Sequence, residues 1–138
     1  MSSLAFDGSR TFFQSAFFQT ATIVGSPAAA SETIVAQVVL PVQVRADQNV
    51  WLFGFCAYIV GTSGTAGTLR LRRTNVGGTI VASTGALVVA ATNPVAPIII
   101  APDAPGAVAN QVYVLTLQVT AGAAASTVSA VALFAQVI

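Results

Sequence analysis

Apolar and polar residues alternate in runs along this chain, and no stretch repeats its apolar positions at the about 3.6-residue spacing of a capped amphipathic helix. Segment 33–45 is rich in Val and Ile, side chains that suit a pleated, half-buried surface. Pro41 within it cannot donate a ladder hydrogen bond, which predicts an edge position or a bulge where the strand bends. Segment 50–60 puts Trp51, Phe53, Phe55, Ala57 and Ile59 on one face and Val50, Leu52, Gly54, Cys56, Tyr58 and Val60 on the other. Side chains alternate across a strand, so a strand that is apolar on both faces must be covered on both. One side is expected to be the sandwich core, the other a second layer or a subunit interface. The polar residues 45–49 join these segments, and 32–60 reads as a hairpin of two long strands on which the rest is built.

Downstream the strands shorten. The Gly-rich stretch 61–67 leads into 68–74, where Leu69 and Leu71 face inward, Arg70 and Arg72 face outward, and Arg73 breaks the pattern. The turn 75–78 returns the chain as 79–83 in a hairpin. A strand at 86–92, an apolar run at 98–100 and a loop over 102–110 come next. A final pair of strands, 111–120 and 127–138, is joined by the small-residue turn 121–126. Tyr113, Leu115, Leu117 and Val119 share a face in the first; Val128, Ala130, Ala132 and Phe134 share one in the second. About eight strands, with turn signals roughly every 8–14 residues, predict an all-β fold, an antiparallel β-sandwich that is jelly-roll-like. Residues 1–31 read as an N-terminal arm and first strand, and 32–138 as the sandwich, a single domain.

Composition turns this picture from a free domain towards a part of an assembly. Of 138 residues, 55% are hydrophobic and 7% charged, against about 25% charged in an ordinary soluble domain. Lys and His are absent, and residues 104–138 carry no charge at all. Interspersed charges keep a solitary monomer soluble, whereas a charge-poor, Ala/Val-rich exterior suits burial against partners. A net charge of +1 makes no electrostatic case for nucleic acid or an anionic membrane. Mean hydropathy is high at +0.83, yet Pro94, Pro97, Pro102 and Gly122 interrupt the apolar stretches before one reaches the ~20 residues of a spanning helix. The opening MSSLAFDGSR lacks the pattern of a secretory leader.

Candidate chemistry is thin. Without His the commonest general base and metal ligand are missing. The carboxylates Asp7, Glu32, Asp47 and Asp103 lie far apart in sequence, which supports neither a glycosidase pair nor an aspartic dyad. A lone Cys56 excludes an intrachain disulfide and a Cys-based zinc cluster, and it reads as a small buried hydrophobe. Stretch 61–67 lacks the Lys-Ser/Thr of a phosphate-binding loop and precedes a strand. No catalytic, metal-binding or cofactor-binding residue is assigned, and no cofactor is expected.

Two clusters stand out instead. Phe12-Phe13-Gln14 repeats as Phe17-Phe18-Gln19, either as core or as an apolar arm docking on a neighbouring subunit. Phe12, Phe13, Phe17 and Phe18 are the interface candidates of that arm. Arg70, Arg72 and Arg73 hold three of the five positive charges within four residues. They form either the solvated face of an edge strand or a docking patch for an acidic partner. Trp51, Tyr58 and Tyr113 would stack on sugars if exposed, although their apolar neighbours favour burial.

The succession GTLRLRRTNVGGTIVAS, a Pro/Gly loop, NQVYVLTLQVTAG and a closing TVSAVALFAQVI resembles the small β-sandwich structural proteins of tailed-bacteriophage virions. These are capsid decoration (cement) proteins and head or tail fibre components. The likeness covers residues 33–138 and is one of style, without a diagnostic motif. It implies a jelly-roll homo-oligomer, commonly a trimer, seated where capsomers meet, with the arm reaching to the shell. The expected function is non-enzymatic: a cement protein that stabilises the shell by bridging capsomers. Its partners would be its own copies and the major capsid or another virion protein, with no nucleic acid and no membrane. Its place would be the virion, assembled in the host cytoplasm. A receptor- or glycan-binding spike domain and a subunit of a self-assembling coat or filament are the alternatives.

Overall fold

In the computed structural model of the chain, residues 15–16, 31–61, 65–91, 93–120 and 127–138 are described. Their strands are β1 (Ser15–Ala16), β2 (Glu32–Val39), β3 (Gln43–Val44), β4 (Val50–Ile59), β5 (Thr65–Arg73), β6 (Ile80–Ser83), β7 (Leu87–Val89), β8 (Ile98–Asp103), β9 (Val108–Ala109), β10 (Val112–Val119) and β11 (Thr127–Val137). All pair antiparallel, and they stack as a β-sandwich. Sheet I runs β2-β10-β5-β6, with β7 also paired to β5; sheet II runs β1-β11-β4-β8; β3 and β9 form a separate two-stranded ribbon. No helix among the described residues is long and apolar enough to cross a membrane.

The expected hairpin over 32–60 is not formed. Strand β2 lies at the border of sheet I against β10, whereas β4 lies inside sheet II between β11 and β8. Alternation says which way a side chain points and leaves open which strand stands alongside. The break falls at Pro41. Leu40 still donates its N–H to the Gln111 carbonyl at 2.9 Å, but Pro41 has no N–H with which to continue. The chain then runs through β3, paired with β9, before the 45–49 turn and β4. In that turn Gln48 Oε1 accepts from the Arg45 N–H at 2.8 Å.

The final pair of strands also separates, β10 into sheet I and β11 into sheet II. Within sheet I, β10 lies between β2 and β5, and its residues 113–117 are buried at every position. The hairpin expected around 75–78 is present, with β5 and β6 paired. Its turn is closed by Gly78 N–H donating to the Asn75 carbonyl at 2.9 Å.

Between the sheets lies one apolar core. Leu69, Leu71, Leu115 and Leu117 come from sheet I, and Leu52, Cys56, Tyr58 and Leu133 from sheet II. Each such fully buried side chain is worth about 1.5–3 kcal/mol of transfer free energy. One inward set differs from expectation. Val128 is buried with Val131 and Leu133, while Ala130 and Phe134 point outward. The register slips between Val128 and Ala130, and an extra residue in a bulge reverses the parity of the residues after it.

Candidate functional site: the outer face of sheet II

Strand β4 turns its even-numbered residues into the core, which leaves its odd-numbered set on the outside of sheet II. Pairing fixes what surrounds them. Phe53 stands between Ile100 of β8 and Phe134 of β11, Phe55 between Ile98 and Ala132, and Trp51 between Pro102 and Gln136. The Phe53 and Phe134 rings meet at 5.8 Å between centroids with planes 59° apart, within the range of favourable tilted aromatic pairs. Trp51 is 43% exposed, Ile98 55% and Ile100 58%. No charged residue of β4, β8 or β11 points outward here. Scattered exposed apolar residues need no explanation, but a contiguous apolar patch marks an interaction site.

Of the expected coverage of β4 on both sides, the described residues supply the core side; on the other side Trp51 is exposed and Phe53, Phe55, Ala57 and Ile59 are half-buried. The arm candidates Phe12, Phe13, Phe17 and Phe18 lie outside the described residues. Of residues 1–30 only β1 is described, and it pairs with Ala135 and Gln136 of β11 at the border of the sheet that carries this face.

The three arginines are not brought together. Arg70 and Arg72 point out of sheet I and converge on Glu32 at the start of β2. Arg70 Nη1 donates to Glu32 Oε1 at 3.0 Å, and Arg72 reaches both carboxylate oxygens through Nε and Nη2 at 2.5 and 2.9 Å. Thr116 of β10 adds its hydroxyl at 2.5 Å. One carboxylate thus ties three neighbouring strands. Burial works to raise the Glu32 carboxyl, but the hydrogen bonds of Arg72 and Thr116 and the charges of both arginines outweigh it and hold it below its ordinary value. Arg73 takes an inward position, in step with Leu69 and Leu71, at the end of the sandwich. It meets Asp103 at the end of β8 in the opposite sheet, with Nε and Nη2 at 2.8 and 2.6 Å from the two oxygens. Tyr113, fully buried, donates its hydroxyl to the same carboxylate at 2.8 Å.

These interactions engage the described arginines of β5 within the chain, and they leave Asp47 paired with Arg45 in an exposed turn at 3.3 Å. Asp7 lies outside the described residues. Cys56 is buried, and desolvation pushes its thiol up to about 12, which leaves it without thiolate reactivity. No group of three or more His, Cys, Asp or Glu is close enough to hold a metal ion among the described residues.

No protein-family model matches the sequence, and no curated protein matches it. Solved structures do resemble the fold. The structure of Eiger TNF from S. frugiperda aligns over 89% of this chain and 90% of its own, with a TM-score of 0.51 and 18% identity. Infectious bursal disease virus, Gx strain, aligns over 89% of this chain and 32% of its own at a TM-score of 0.49 and 10% identity. A CBM4 structure aligns over 88% and 94% at a TM-score of 0.41 and 14% identity. At such identities the likeness is one of fold alone.

Of the aromatic residues that sugars would stack on, only Trp51 is exposed; Tyr58 and Tyr113 are both fully buried. The carboxylate partners of the arginines carried no signal in the sequence, because Glu32 and Asp103 lie 40 and 30 residues from Arg72 and Arg73. Glu32→Gln is expected to destabilise the fold by about 2 kcal/mol at pH 7, since two largely covered arginines lose their common counter-charge. Urea unfolding at pH 7 checks it. A loss below about 0.5 kcal/mol would place this network with ordinary surface ion pairs.

Proposed function

We propose that the protein is a non-enzymatic structural subunit of a virion, decorating a capsid as a homotrimer in which the outer face of sheet II is buried between copies. The observation that carries this reading is that face: aromatic and aliphatic across three strands, uncharged among the described residues, and exposed at Trp51, Ile98, Ile100 and Phe134. Burying it would bring about 25 cal/mol per Å² of apolar surface without stranding an ionised group. The scarcity of charge over the whole chain and the resemblance of its strands to phage virion proteins favour a permanent assembly of that kind. The bridging partner would be the major capsid protein.

A glycan-binding reading has one observation in its favour, the exposed Trp51 ring. Pairing sets it between Pro102 and Gln136 with Phe53 next along its face, a mostly apolar surround, whereas sugar sites need convergent polar groups. Light scattering is expected to give the purified protein a mass three times that of the 13.9 kDa chain, with binding to empty shells of the source virus. A stable monomer that ignores shells overturns the proposal. Glycan-array binding that disappears on Trp51→Ala would put the sugar reading in its place.

A further inference from the structure

Strand β8 closes sheet II at the end opposite β1, and its backbone is bonded on one side only. Tyr58 N–H donates to the Val95 carbonyl at 2.9 Å, Val95 N–H donates back to Tyr58 at 3.0 Å, and Cys56 N–H donates to the Pro97 carbonyl at 3.3 Å. The register with β4 runs from Val95 to Asp103 without a slip, so the odd-numbered residues bond to β4. Backbone groups alternate in direction along an antiparallel strand, which aims the N–H and C=O of Ala96, Ile98 and Ile100 at the free border. Among the described residues no strand pairs there, and nothing accepts from these three N–H groups. All three residues are exposed.

Such borders are ordinarily blunted by charges, prolines or bulges. No charged residue lies between Arg73 and Asp103, and those two bond each other. Pro97 lacks its N–H on the β4 side and takes no donor from the border. Pro94 and Pro102 stand four residues to either side of Ile98, so the missing donors fall at the two ends. Centred on Ile98, the border reads the same in both directions: proline, donor, donor, donor, proline. A strand with this symmetry is complementary to itself, which is what a two-fold contact between identical surfaces requires. A foreign strand would have to reproduce the same spacing.

We infer that two copies pair their β8 borders antiparallel about a two-fold axis at Ile98, with Ile98 against Ile98 and Ala96 against Ile100, so that sheet II continues from one copy into the next. Every border donor of both copies then meets an acceptor, and Pro94 of each copy lies against Pro102 of the other. A shift by two residues sets Pro102 against Ala96 and brings a ring without an N–H onto the Ala96 carbonyl. Pairing in the plane of the sheet leaves the outer face open, so this contact goes beyond the trimer proposed above and joins one trimer to the next. A contact over residues 96–100 is small against the roughly 1,200–2,000 Å² that a stable interface buries, so it forms above the concentrations that give the trimer.

Ile98→Cys tests the axis, because a residue on it meets itself. Directly opposed residues of a bonded pair stand about 5.5 Å apart at Cα, a separation that a disulfide spans, and the buried Cys56 does not compete. In concentrated protein under a mild oxidant, Ile98→Cys is expected to form a covalent dimer ahead of Val88→Cys, which is exposed on sheet I. Ile100→Cys alone should lag as well, because its two copies lie about 14 Å apart along the strands, and should link when mixed with Ala96→Cys. Ile98→Cys linking no faster than Val88→Cys overturns the contact, and Ile100→Cys linking to itself faster than Ile98→Cys overturns its register. Amide exchange on the unaltered chain gives an independent reading. On raising the concentration, Ala96, Ile98 and Ile100 should slow together by about tenfold or more, while Val95, already bonded to Tyr58, stays as it was. Three amides that stay fast at every concentration overturn the pairing.

Discussion

Asp103→Ala is expected to destabilise the sandwich by about 3 kcal/mol at pH 7. The carboxylate closes one end of the structure, joining β8 of sheet II to Arg73 of β5 and Tyr113 of β10 in sheet I. Removing one member of a buried ion pair costs roughly 3–5 kcal/mol. Arg73 is still 31% exposed at its side chain, so solvent recovers part of that. The Tyr113 hydroxyl, fully buried, also loses its acceptor, and an unsatisfied buried donor costs about 1–3 kcal/mol. Burial alone would raise the Asp103 carboxyl; the hydrogen bonds from Arg73 and Tyr113 and the Arg73 charge more than reverse this and hold it below the ordinary 3.8. A carboxyl lowered by folding contributes its full stability above its unfolded value and loses it as pH falls through the lower folded one. Urea unfolding of both proteins should therefore show a gap that is constant from pH 7 down to about 5 and narrows in acid below 3.8. A gap that persists unchanged in acid would mean the loss is one of packing, with no ionic part.

Sequence periodicity carried the fold class because burial acts residue by residue. Leu69 and Leu71 inward, Arg70 and Arg72 outward, and the two apolar sides of β4 all result from a period of two. Strand neighbours did not, because the same alternation serves a hairpin and a crossing between sheets equally well. Segments 33–45 and 50–60 illustrate this: their strands enter opposite sheets of one core instead of sharing a ladder. Arg73 shows a similar limit. Its charge looked like a break in the pattern, yet it keeps the inward parity and is satisfied by Asp103 from the opposite sheet. The apolar outside of β4 was legible as a surface in need of cover. That β8 and β11 extend it to a continuous face was not, since their positions beside β4 depend on the crossings.

Gly67→Ala is expected to cost about 3 kcal/mol, and Tyr58→Phe to recover part of that loss. Gly67 occupies an inward position of β5 beneath Tyr58 of β4, and a Cβ there would lie 2.2 Å from the Tyr58 hydroxyl oxygen and 2.7 Å from Cζ. The Tyr58 ring is fully buried, so it cannot swing aside without parting the sheets, and overpacking a tight core costs roughly 1–3 kcal/mol or more. The hydroxyl itself has no hydrogen-bond partner among the described residues, and desolvation first, then the neighbouring Cys56, raises its pKa. Deleting it in Tyr58→Phe removes an unsatisfied polar group, and stability should hold or rise by up to about 1 kcal/mol. Tyr113→Phe, equally buried, gives up a hydrogen bond to a carboxylate and should lose about 2 kcal/mol. Chemical denaturation of the two single tyrosine variants and of the Gly67→Ala/Tyr58→Phe pair tests the set, and equal losses at both tyrosines would sink it. Because β4 presents Trp51, Phe53 and Phe55 on its other side, any shift of β4 away from β5 also displaces the apolar face. Gly67→Ala should then weaken oligomer formation at concentrations where the subunit is still folded, and Tyr58→Phe should restore it in step with stability.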